Sequence, residues 1–352
     1  MLKVALLGFG TIGSSVGRII SEDGARRRQQ LQENFDSVSS ISDVLAQLEI
    51  VAIDTLEVEQ VRATLTKPEF AGISSAVVTS SFDEVLALKP DIIVELIGGV
   101  EPAKSFISRA LNAKINVVTA NKAVLGVAGQ ELRDLAVKNG VQLLYEASVG
   151  GAVPIVRAIR HSLMGDKIVS IKGVLNGTTN FILDKMTSEG ADYAVALKEA
   201  QDLGFAEADP TADVGGFDPA AKISILASLA FGRDLKMNDV DTKGITDITQ
   251  GMIIAAKNDG LVYKLVATAN REGCSDGNEN IKLSVAPVLV PEKSAFGELT
   301  GSMNAVEVIS EYSTKLTFFG PGAGGDPTAS AVLADIIEIA QFLRTSNQKT
   351  GF

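Results

Sequence analysis

Short apolar runs alternate with amphipathic segments along the first 150 residues. The apolar runs are Leu2–Leu7, Glu49–Asp54, Ala76–Thr79, Asp91–Leu96, Ile115–Thr119 and Val141–Tyr145. Helical periodicity is clearest at Pro102–Asn112 and Lys122–Asn139. Strands that alternate with helices are typical of a parallel, doubly wound sheet. The first half is therefore predicted to be an α/β domain with a Rossmann-type parallel sheet.

The pattern changes after Gly151. Val153–Leu163 predicts a helix, and the alternation over Lys167–Leu175 predicts a strand. Further strands are predicted at Leu261–Ala267, Ile281–Pro287, Ala305–Ser310 and Lys315–Phe319. These elements indicate an α+β domain with a mixed sheet.

Three segments follow from these patterns. Residues 1–148 are predicted to form the domain with the parallel sheet, and residues 149–320 the domain with the mixed sheet. Residues 321–352 are predicted to return to the first domain through a helix from about Thr328 to Arg344. Asp326 is the expected N-cap of that helix, with Pro327 at its first position.

A glycine-rich turn joins the first predicted strand to the first predicted helix. It reads Gly8-Phe-Gly10-Thr11-Ile12-Gly13, the spacing G-x-G-x-x-G. In this context the glycines permit a tight turn, close approach of a pyrophosphate, and packing of helix on strand. The free N–H groups at the helix start favour phosphate. We therefore expect Gly8, Gly10, Thr11, Ile12 and Gly13 to bind a dinucleotide.

Three other segments follow predicted strands and should face the same cleft, since ligands bind beyond the carboxyl ends of parallel strands. They are Ile97-Gly98-Gly99, Ala120-Asn121-Lys122 and Glu146-Ala147-Ser148. Ile97, Gly98 and Lys122 are accordingly predicted to contact the cofactor.

Asp54 ends the second predicted strand, and no Lys or Arg follows it until Arg62. A carboxylate there accepts hydrogen bonds from ribose hydroxyls and repels a 2′-phosphate, so NAD is favoured over NADP. The alternative lies in the polar insert Ser21–Asp43. If it folds over the adenosine, one of Arg26, Arg27 and Arg28 holds a 2′-phosphate; otherwise they form a solvated helix face.

Composition narrows the function further. The 352 residues carry a net charge of −11, which argues against a nucleic-acid partner. No apolar run approaches the about 18 residues of a membrane span. The single cysteine, Cys274, fits a reducing compartment, so we expect a cytoplasmic protein with a small-molecule substrate. The single histidine, His161, lies in a predicted surface helix, so acid–base chemistry would use Lys, Asp, Glu or Tyr.

Asp218 and Lys222 lie one helical turn apart, after Pro219 at a predicted helix start. Alone, this pattern is typical of a capping residue and a solvated ion pair. A long acidic loop, residues 204–216, precedes the pair, and such loops are frequently functional.

These residues belong to a series of motifs that resembles the homoserine dehydrogenase family over nearly the whole chain. The motifs are Gly8-x-Gly10-x-x-Gly13, Val118-Thr-Ala-Asn-Lys122, Tyr145-Glu-Ala-Ser-Val-Gly-Gly, Leu175-Asn-Gly-Thr-Thr-Asn180, Gly204-Phe-Ala-Glu-Ala-Asp-Pro, Asp213 with Asp218-x-x-x-Lys222, and Gly320-Pro-Gly-Ala-Gly. The resemblance implies NAD(P)-dependent interconversion of L-homoserine and L-aspartate 4-semialdehyde, in the biosynthesis of threonine, methionine and isoleucine.

The resemblance also assigns roles at the substrate. Lys222 would give a proton to the aldehyde oxygen, and Lys122 would be a second lysine near cofactor and substrate. Glu207 and Asp218 would bind the substrate, Glu207 through its ammonium group, and Asp213 would orient Lys222.

Further implied roles concern cofactor, cation and assembly. Gly204 and Gly324 match glycines that approach the nicotinamide end of the cofactor. A monovalent cation, typically sodium, would be bound by Glu146 and by the carbonyls of Val149, Gly151 and Val153. The resemblance also implies that residues 1–148 bind the dinucleotide, and that residues 149–320 form the catalytic and dimerisation domain of a homodimer. Because the sequence ends at Phe352, a C-terminal ACT-type domain with its feedback inhibition and an N-terminal kinase are not expected.

Two alternative functions share parts of this pattern. Aspartate-semialdehyde dehydrogenase chemistry needs a nucleophilic cysteine, and Cys274 lies in the polar stretch Arg-Glu-Gly-Cys-Ser-Asp-Gly without a basic neighbour. A non-catalytic NAD-sensing protein would keep the glycine-rich turn but would not need Lys222, Asp218 and Glu207 together.

Overall fold

The computed structural model describes residues 1–33, 44–45, 47–273 and 279–349. Their backbone falls into two units. The first unit comprises residues 1–124, 128–147 and the chain from Gly324 onward; the second comprises residues 125–127 and 148–323. The first unit therefore combines the beginning of the chain with its last helix.

Twelve strands and twelve helices are found in the described residues. The strands are β1 (Leu2–Leu7), β2 (Leu48–Asp54), β3 (Val77–Thr79), β4 (Ile92–Glu95), β5 (Asn116–Thr119), β6 (Leu143–Leu144), β7 (Ile168–Val174), β8 (Val240–Thr242), β9 (Leu261–Gly273), β10 (Glu279–Pro291), β11 (Met303–Ser310) and β12 (Thr314–Pro321). The helices are α1 (Thr11–Glu33), α2 (Val58–Thr64), α3 (Phe82–Ala87), α4 (Ala103–Asn112), α5 (Lys122–Asn139), α6 (Ile155–Arg157), α7 (Gly177–Ser188), α8 (Tyr193–Asp202), α9 (Thr211–Val214), α10 (Phe217–Phe231), α11 (Gln250–Asn258) and α12 (Gly325–Lys349). Short 3₁₀ or π turns occupy Pro68–Ile73, Glu146–Ser148, Ala158–Ser162 and Met237–Asp239.

The first unit is built on a parallel sheet in the order β3-β2-β1-β4-β5-β6. Strand order reverses direction between β1 and β4, the switch point at which doubly wound sheets open a ligand crevice. Buried apolar residues of β1, β2 and β4 pack with α1 and α12 in one core cluster. The Rossmann-type α/β prediction is confirmed.

The second unit is built on a mixed sheet in the order β12-β11-β7-β9-β10-β8. Neighbouring strands in this sheet are antiparallel, except that β8 runs parallel to β10. Helix α10 packs on one face of this sheet, against β7, β9 and β10. Ile223, Leu226 and Ala227 of α10 are fully or almost fully buried, so α10 is fixed as a rigid element. The predicted mixed sheet is present.

Several local expectations differ from the structure. Helix α10 is capped by Gly216, at φ +85°, so Asp218 lies inside the first turn and is not the capping residue. Helix α12 begins at Gly325, which places Asp326 and Pro327 in its first turn too. In both cases the helix starts two residues earlier than the Asp-Pro pattern indicated, and at α10 the positive φ of Gly216 is one that favours glycine.

Other differences concern lengths. Strands β9 and β10 pair over thirteen residues each, well past their predicted ends, and β8 was not predicted. The acidic loop contains α9. Part of the polar insert continues α1 to Glu33, whereas residues 34–43 lie outside the described residues, as do the side chains of Arg26–Arg28. Within the described chain, no helix combines the length and hydropathy needed to cross a bilayer.

Candidate active site

The glycines of the first turn have three different surroundings. A Cβ on Gly8, at φ +95°, would lie 2.9 Å from the Leu96 carbonyl oxygen, and one on Gly13 would lie 2.3 Å from the Gly8 carbonyl oxygen. A Cβ on Gly10 would meet nothing within 4 Å. Gly8 and Gly13 are thus needed by the fold itself. The space at Gly10 is open to a ligand. Thr11 and Ile12 begin α1, and the first N–H groups of a helix have no partner within the helix and favour phosphate.

Asp54 lies beside this turn at the carboxyl end of β2. Its backbone carbonyl accepts a hydrogen bond from the Gly8 N–H at 2.8 Å, which joins the strand end to the turn. Its side chain is largely buried, and this burial raises the pKa of the Asp54 carboxyl. A carboxyl in this position is suited to accept hydrogen bonds from two ribose hydroxyls, which would replace its lost hydration.

The loop after β4 presents an exposed apolar residue and two glycines at the same sheet edge. Ile97 is 39% exposed, and Gly98 and Gly99 have φ of +85° and +70°. The Ile97 N–H donates to Oε1 of Glu95 at 2.8 Å, and Glu95 is fully buried. Sequence reasoning missed Glu95. Its signal was a charged residue inside an otherwise apolar strand.

Lys122 is half-buried and is the first residue of α5, as its position after β5 suggested. The helix is capped by Asn121, whose Oδ1 accepts from the N–H groups of Ala123 and Val124 at 3.1 and 3.2 Å. This cap fixes where α5 begins, and therefore where the Lys122 side chain starts.

The start of α12 packs on the first turns of α1. A Cβ on Gly325 would lie 2.7 Å from Ser15 Oγ, so the two helix starts approach closely. Arg18 Nη2 donates to Asp326 Oδ1 at 2.7 Å, and hydrogen bonds from Ser15 and Arg18 lower the pKa of Asp326. Gly324, at φ +114°, therefore belongs to the same unit as the glycine-rich turn.

A buried polar cluster occupies the first turns of α10 in the second unit. Lys222 Nζ donates to Asp218 Oδ2 at 2.8 Å and to the Leu175 carbonyl at 2.7 Å. The Lys222 side chain is 11% exposed and the Asp218 side chain is 6% exposed. The predicted pair is therefore no solvated surface ion pair but a desolvated ammonium and carboxylate.

Asn176 joins this pair to the third predicted residue. Its Nδ2 donates to Asp213 Oδ1 at 2.7 Å and to Asp218 Oδ2 at 2.8 Å. Its Oδ1 accepts from the Thr179 N–H at 2.8 Å and so caps α7. The structure thus brings Asp213, Asp218 and Lys222 together through Asn176, a residue of the Leu175–Asn180 motif to which the sequence analysis assigned no role at the site.

Glu207 and Gly204 lie on the loop between α8 and α9. Glu207 is exposed, and its backbone carbonyl accepts from Gln201 Nε2 at 3.2 Å. Gly204 adopts φ +77°, with nothing within 4 Å of a built Cβ. The structure fixes the backbone of this loop and leaves the Glu207 carboxylate exposed to solvent.

The predicted cation ligands lie on both sides of a turn that follows β6. Glu146 is 3% exposed, and its N–H donates to Asp335 Oδ2 at 2.8 Å. Val149 and Val153 are fully buried, and Gly151 has φ +57°. In the described chain no cluster of three or more His, Cys, Asp or Glu side chains could hold a metal. Glu146 belongs to the first unit, and Val149, Gly151 and Val153 belong to the second.

Comparison with known proteins gives one consistent family. The homoserine dehydrogenase family model matches residues 154–337, and the model of the NAD-binding domain of homoserine dehydrogenase matches residues 8–146. A homoserine dehydrogenase of Synechocystis sp. is 40% identical over 349 residues, covering 99% of this chain and 75% of that protein.

Solved structures agree with this similarity. A homoserine dehydrogenase from Thiobacillus denitrificans is similar at a TM-score of 0.84 and 34% identity, over 98% of this chain and 74% of that one. A hyperthermophilic archaeal homoserine dehydrogenase in complex with NADPH is similar at a TM-score of 0.76 and 27% identity, over 97% of this chain and 98% of that one.

The contrast between Gly10 and Gly13 gives a test of the dinucleotide turn. Gly10→Ala should change the melting temperature by less than about 2 °C, because its Cβ meets no protein atom. It should weaken NADH binding by about tenfold or more, because the Cβ occupies the space needed by the pyrophosphate. Fluorescence titration with NADH and thermal melting measure the two effects.

Gly13→Ala is the matched comparison. Its Cβ would overlap the Gly8 carbonyl, so this variant should lose stability as well as binding. Unchanged NADH affinity in a folded Gly10→Ala protein would contradict the assignment of the turn.

Proposed function

Since the chain belongs to the homoserine dehydrogenase family, we propose that it interconverts L-homoserine and L-aspartate 4-semialdehyde with Lys222 as the proton carrier. The family makes it an NAD(P)-dependent oxidoreductase of amino-acid biosynthesis. The roles proposed for individual residues rest on the geometry within each unit and on the motifs that match the family.

The observation that supports Lys222 most strongly is its burial on a rigid helix, with two hydrogen-bond acceptors among the described residues. Leu175 O and Asp218 Oδ2 take two of its three N–H donors. The third donor can therefore face the substrate oxygen. A single desolvated ammonium is what a developing alkoxide requires.

The acidic neighbours suit an amino-acid substrate. Asp213 and Asp218 are held by Asn176, and Glu207 is exposed nearby in sequence. We assign Glu207 and Asp218 to the substrate and its ammonium group, and Asp213 to the orientation of the cluster that holds Lys222. Asn176 is added as the residue that fixes both aspartates.

The proton movement can be written for reduction of the aldehyde. Bound NADH or NADPH supplies the hydride to the aldehyde carbon. The carbonyl oxygen becomes an alkoxide and takes a proton from Lys222 Nζ, which is left as a neutral amine and regains its proton from solvent. Lys122 is assigned to add positive potential at this oxygen, as the second lysine. In the oxidation of homoserine each transfer is reversed.

Cofactor preference is assigned to Asp54. Its partly desolvated carboxyl at the carboxyl end of β2 is suited to ribose hydroxyls and disfavours a 2′-phosphate. We therefore propose a preference for NAD within the NAD(P) class. Ile97, Gly98, Gly204 and Gly324 are proposed to contact the rest of the cofactor.

Neither alternative function is favoured by the comparisons. Cys274, the thiol that aspartate-semialdehyde dehydrogenase chemistry would require, lies outside the described residues. A sodium ion bound by Glu146, Val149, Gly151 and Val153 stays a prediction of the resemblance, and turnover in sodium chloride compared with choline chloride would test it. A cytoplasmic location stays a prediction from the single cysteine and the lack of a long apolar run in the sequence.

A homodimer is proposed on the sheet face opposite α10. Cross-strand pairs on this face satisfy one another: Ser170 with Asn270 at 2.6 Å, and Lys315 with Glu307 at 3.0 Å. Phe319, on the same face, is 53% exposed. A broad sheet face with internally paired polar groups and an exposed aromatic residue is suited to pack on a second copy.

Lys222→Met tests the proton carrier. The substitution keeps the length of the side chain, so kcat should fall by about 10³-fold while the NADH dissociation constant stays within about twofold. Turnover assays with homoserine and NAD measure kcat, and NADH titration measures the dissociation constant. Lys257→Met, at an exposed lysine of α11, is the control and should keep full turnover. A kcat within a few-fold of wild type would rule out Lys222.

Asp54→Ser tests the cofactor preference. Loss of a charged acceptor should reduce the NAD-to-NADP ratio of kcat/KM by about tenfold, since hydrogen bonds to charged groups contribute about 1.5–3 kcal/mol. Glu57→Ser, at an exposed carboxylate three residues on, should leave the ratio unchanged. The same ratio in wild type and Asp54→Ser would mean that Asp54 does not bind the ribose.

Phe319→Glu tests the assembly. Sedimentation velocity should give a dimer for the wild type at micromolar concentration and a monomer for Phe319→Glu, because a charge would be buried at the interface. Val137→Glu, at an 80% exposed position of α5, should remain dimeric. A monomeric wild type would contradict the proposal.

A further inference from the structure

Glu95 is a fully buried carboxylate at the carboxyl end of β4, where the cofactor cleft of the first unit opens. Among the described residues no cation forms an ion pair with it, and three hydrogen bonds hold it instead. A buried charge kept without a counterion is costly. Its retention at this edge therefore calls for a function.

The three donors come from two different loops. Oε1 accepts from the Ile97 N–H at 2.8 Å, in the loop after β4. Oε1 also accepts from Asn121 Nδ2 at 3.3 Å, and Oε2 accepts from Thr119 Oγ1 at 2.6 Å, both at the end of β5. The Glu95 side chain thus joins the ends of two adjacent strands, beside the backbone bond from the Ala120 N–H to the Glu95 carbonyl.

Asn121 extends this connection to α5. Its Nδ2 also donates to the Gly99 carbonyl at 2.8 Å, and its Oδ1 caps the helix that Lys122 begins. The loop it contacts contains Gly98 and Gly99, both with positive φ, and glycines restrict their own backbone very little. The conformation of this loop is therefore set by Glu95 and Asn121.

We propose that Glu95 is a positioning residue of the cofactor site: it clamps the loop at Ile97–Gly99 to the start of α5, and so sets both the cofactor-contacting backbone and the origin of the Lys122 side chain. The function assigned to Lys122 rests on the proposed function. The clamp itself rests only on contacts within the first unit.

A carboxylate is needed here because all three partners donate. A glutamine offers one oxygen and an NH₂ group, which would face the Thr119 hydroxyl. That hydroxyl already accepts from the Asn121 N–H at 3.0 Å. Glu95→Gln keeps the shape of the side chain but leaves this donor set with one acceptor too few.

The opposite edge of the same two strands provides a matched control. Asn116, at the start of β5, donates through Nδ2 to the Asp91 carbonyl at 3.1 Å and accepts from the Gln142 N–H at 3.0 Å. It is also buried, and it joins the residue before β4 to the residue before β6. Because it lies at the amino ends of the strands, Asn116→Ala removes a comparable clamp far from the cleft edge.

The experiment compares Glu95→Gln with Asn116→Ala in the full-length chain. Melting temperature, NADH dissociation constant, and kcat and KM for homoserine with NAD are measured for each. Glu95→Gln should weaken NADH binding by about tenfold and lower kcat/KM by about 100-fold, the effect of a displacement of about 1 Å. Asn116→Ala should lower the melting temperature about as much as Glu95→Gln does. Its NADH dissociation constant and its kcat/KM should stay within about twofold of wild type.

Thr119 gives a second pair of variants if Glu95→Gln does not fold. Thr119→Val removes the hydroxyl at nearly constant volume and should weaken NADH binding about as much as Glu95→Gln does. Thr119→Ser retains the hydroxyl and should keep wild-type NADH affinity. Wild-type NADH affinity in folded Glu95→Gln or Thr119→Val, or equal loss of affinity in Asn116→Ala, would overturn the proposal. NADH affinity is measured without homoserine. A wild-type protein that binds NADH but does not oxidise homoserine would contradict the proposed function. The NADH affinities of Glu95→Gln and Asn116→Ala would still decide whether Glu95 positions the cofactor site.

Discussion

Parallel strands all end at one edge of their sheet, and the first unit depends on this constraint. In the order β3-β2-β1-β4-β5-β6 it gathers Gly8, Asp54, Glu95 and Thr119, each at a carboxyl end, although they are far apart in sequence. The loops that follow must then be held without ladder hydrogen bonds. Glu95 and Asn121 do this with their side chains, and the helix start at Lys122 is fixed as a result.

The second unit solves a different problem, that of keeping an ammonium group buried. Helix α10 is apolar over most of its surface and packs tightly on the sheet, so Lys222 cannot move to solvent without breaking that packing. The cost of desolvation is offset by Asp218, and Asp218 is in turn held by Asn176. The Asn176 amide thereby holds two carboxylates and caps α7. The position of the Lys222 amine therefore depends on α7, α9 and α10 together.

Much of this organisation was predictable from local pattern. Strand positions in the first half, the three glycines and the Asp218–Lys222 spacing follow from periodicity and backbone sterics, and each depends on residues near in sequence. Glu95 and Asn176 were not predictable in the same way. The partners of Glu95 include Thr119 and Asn121 on the next strand, 24 and 26 residues away, and those of Asn176 are 37 and 42 residues away. No short-range pattern records such contacts.

The errors at helix starts have the same origin. An Asp-Pro pair predicts a cap from its own chemistry, yet Gly216 and Gly325 begin α10 and α12 because each fits a space too small for a side chain. A Cβ on Gly216 would lie 3.1 Å from Thr242 and 3.2 Å from Val285, and one on Gly325 would lie 2.7 Å from Ser15. The close approach of a distant element decides where the helix starts. At α10 this shift has a chemical consequence, since it moves Asp218 from the helix cap into the first turn, directly below Lys222.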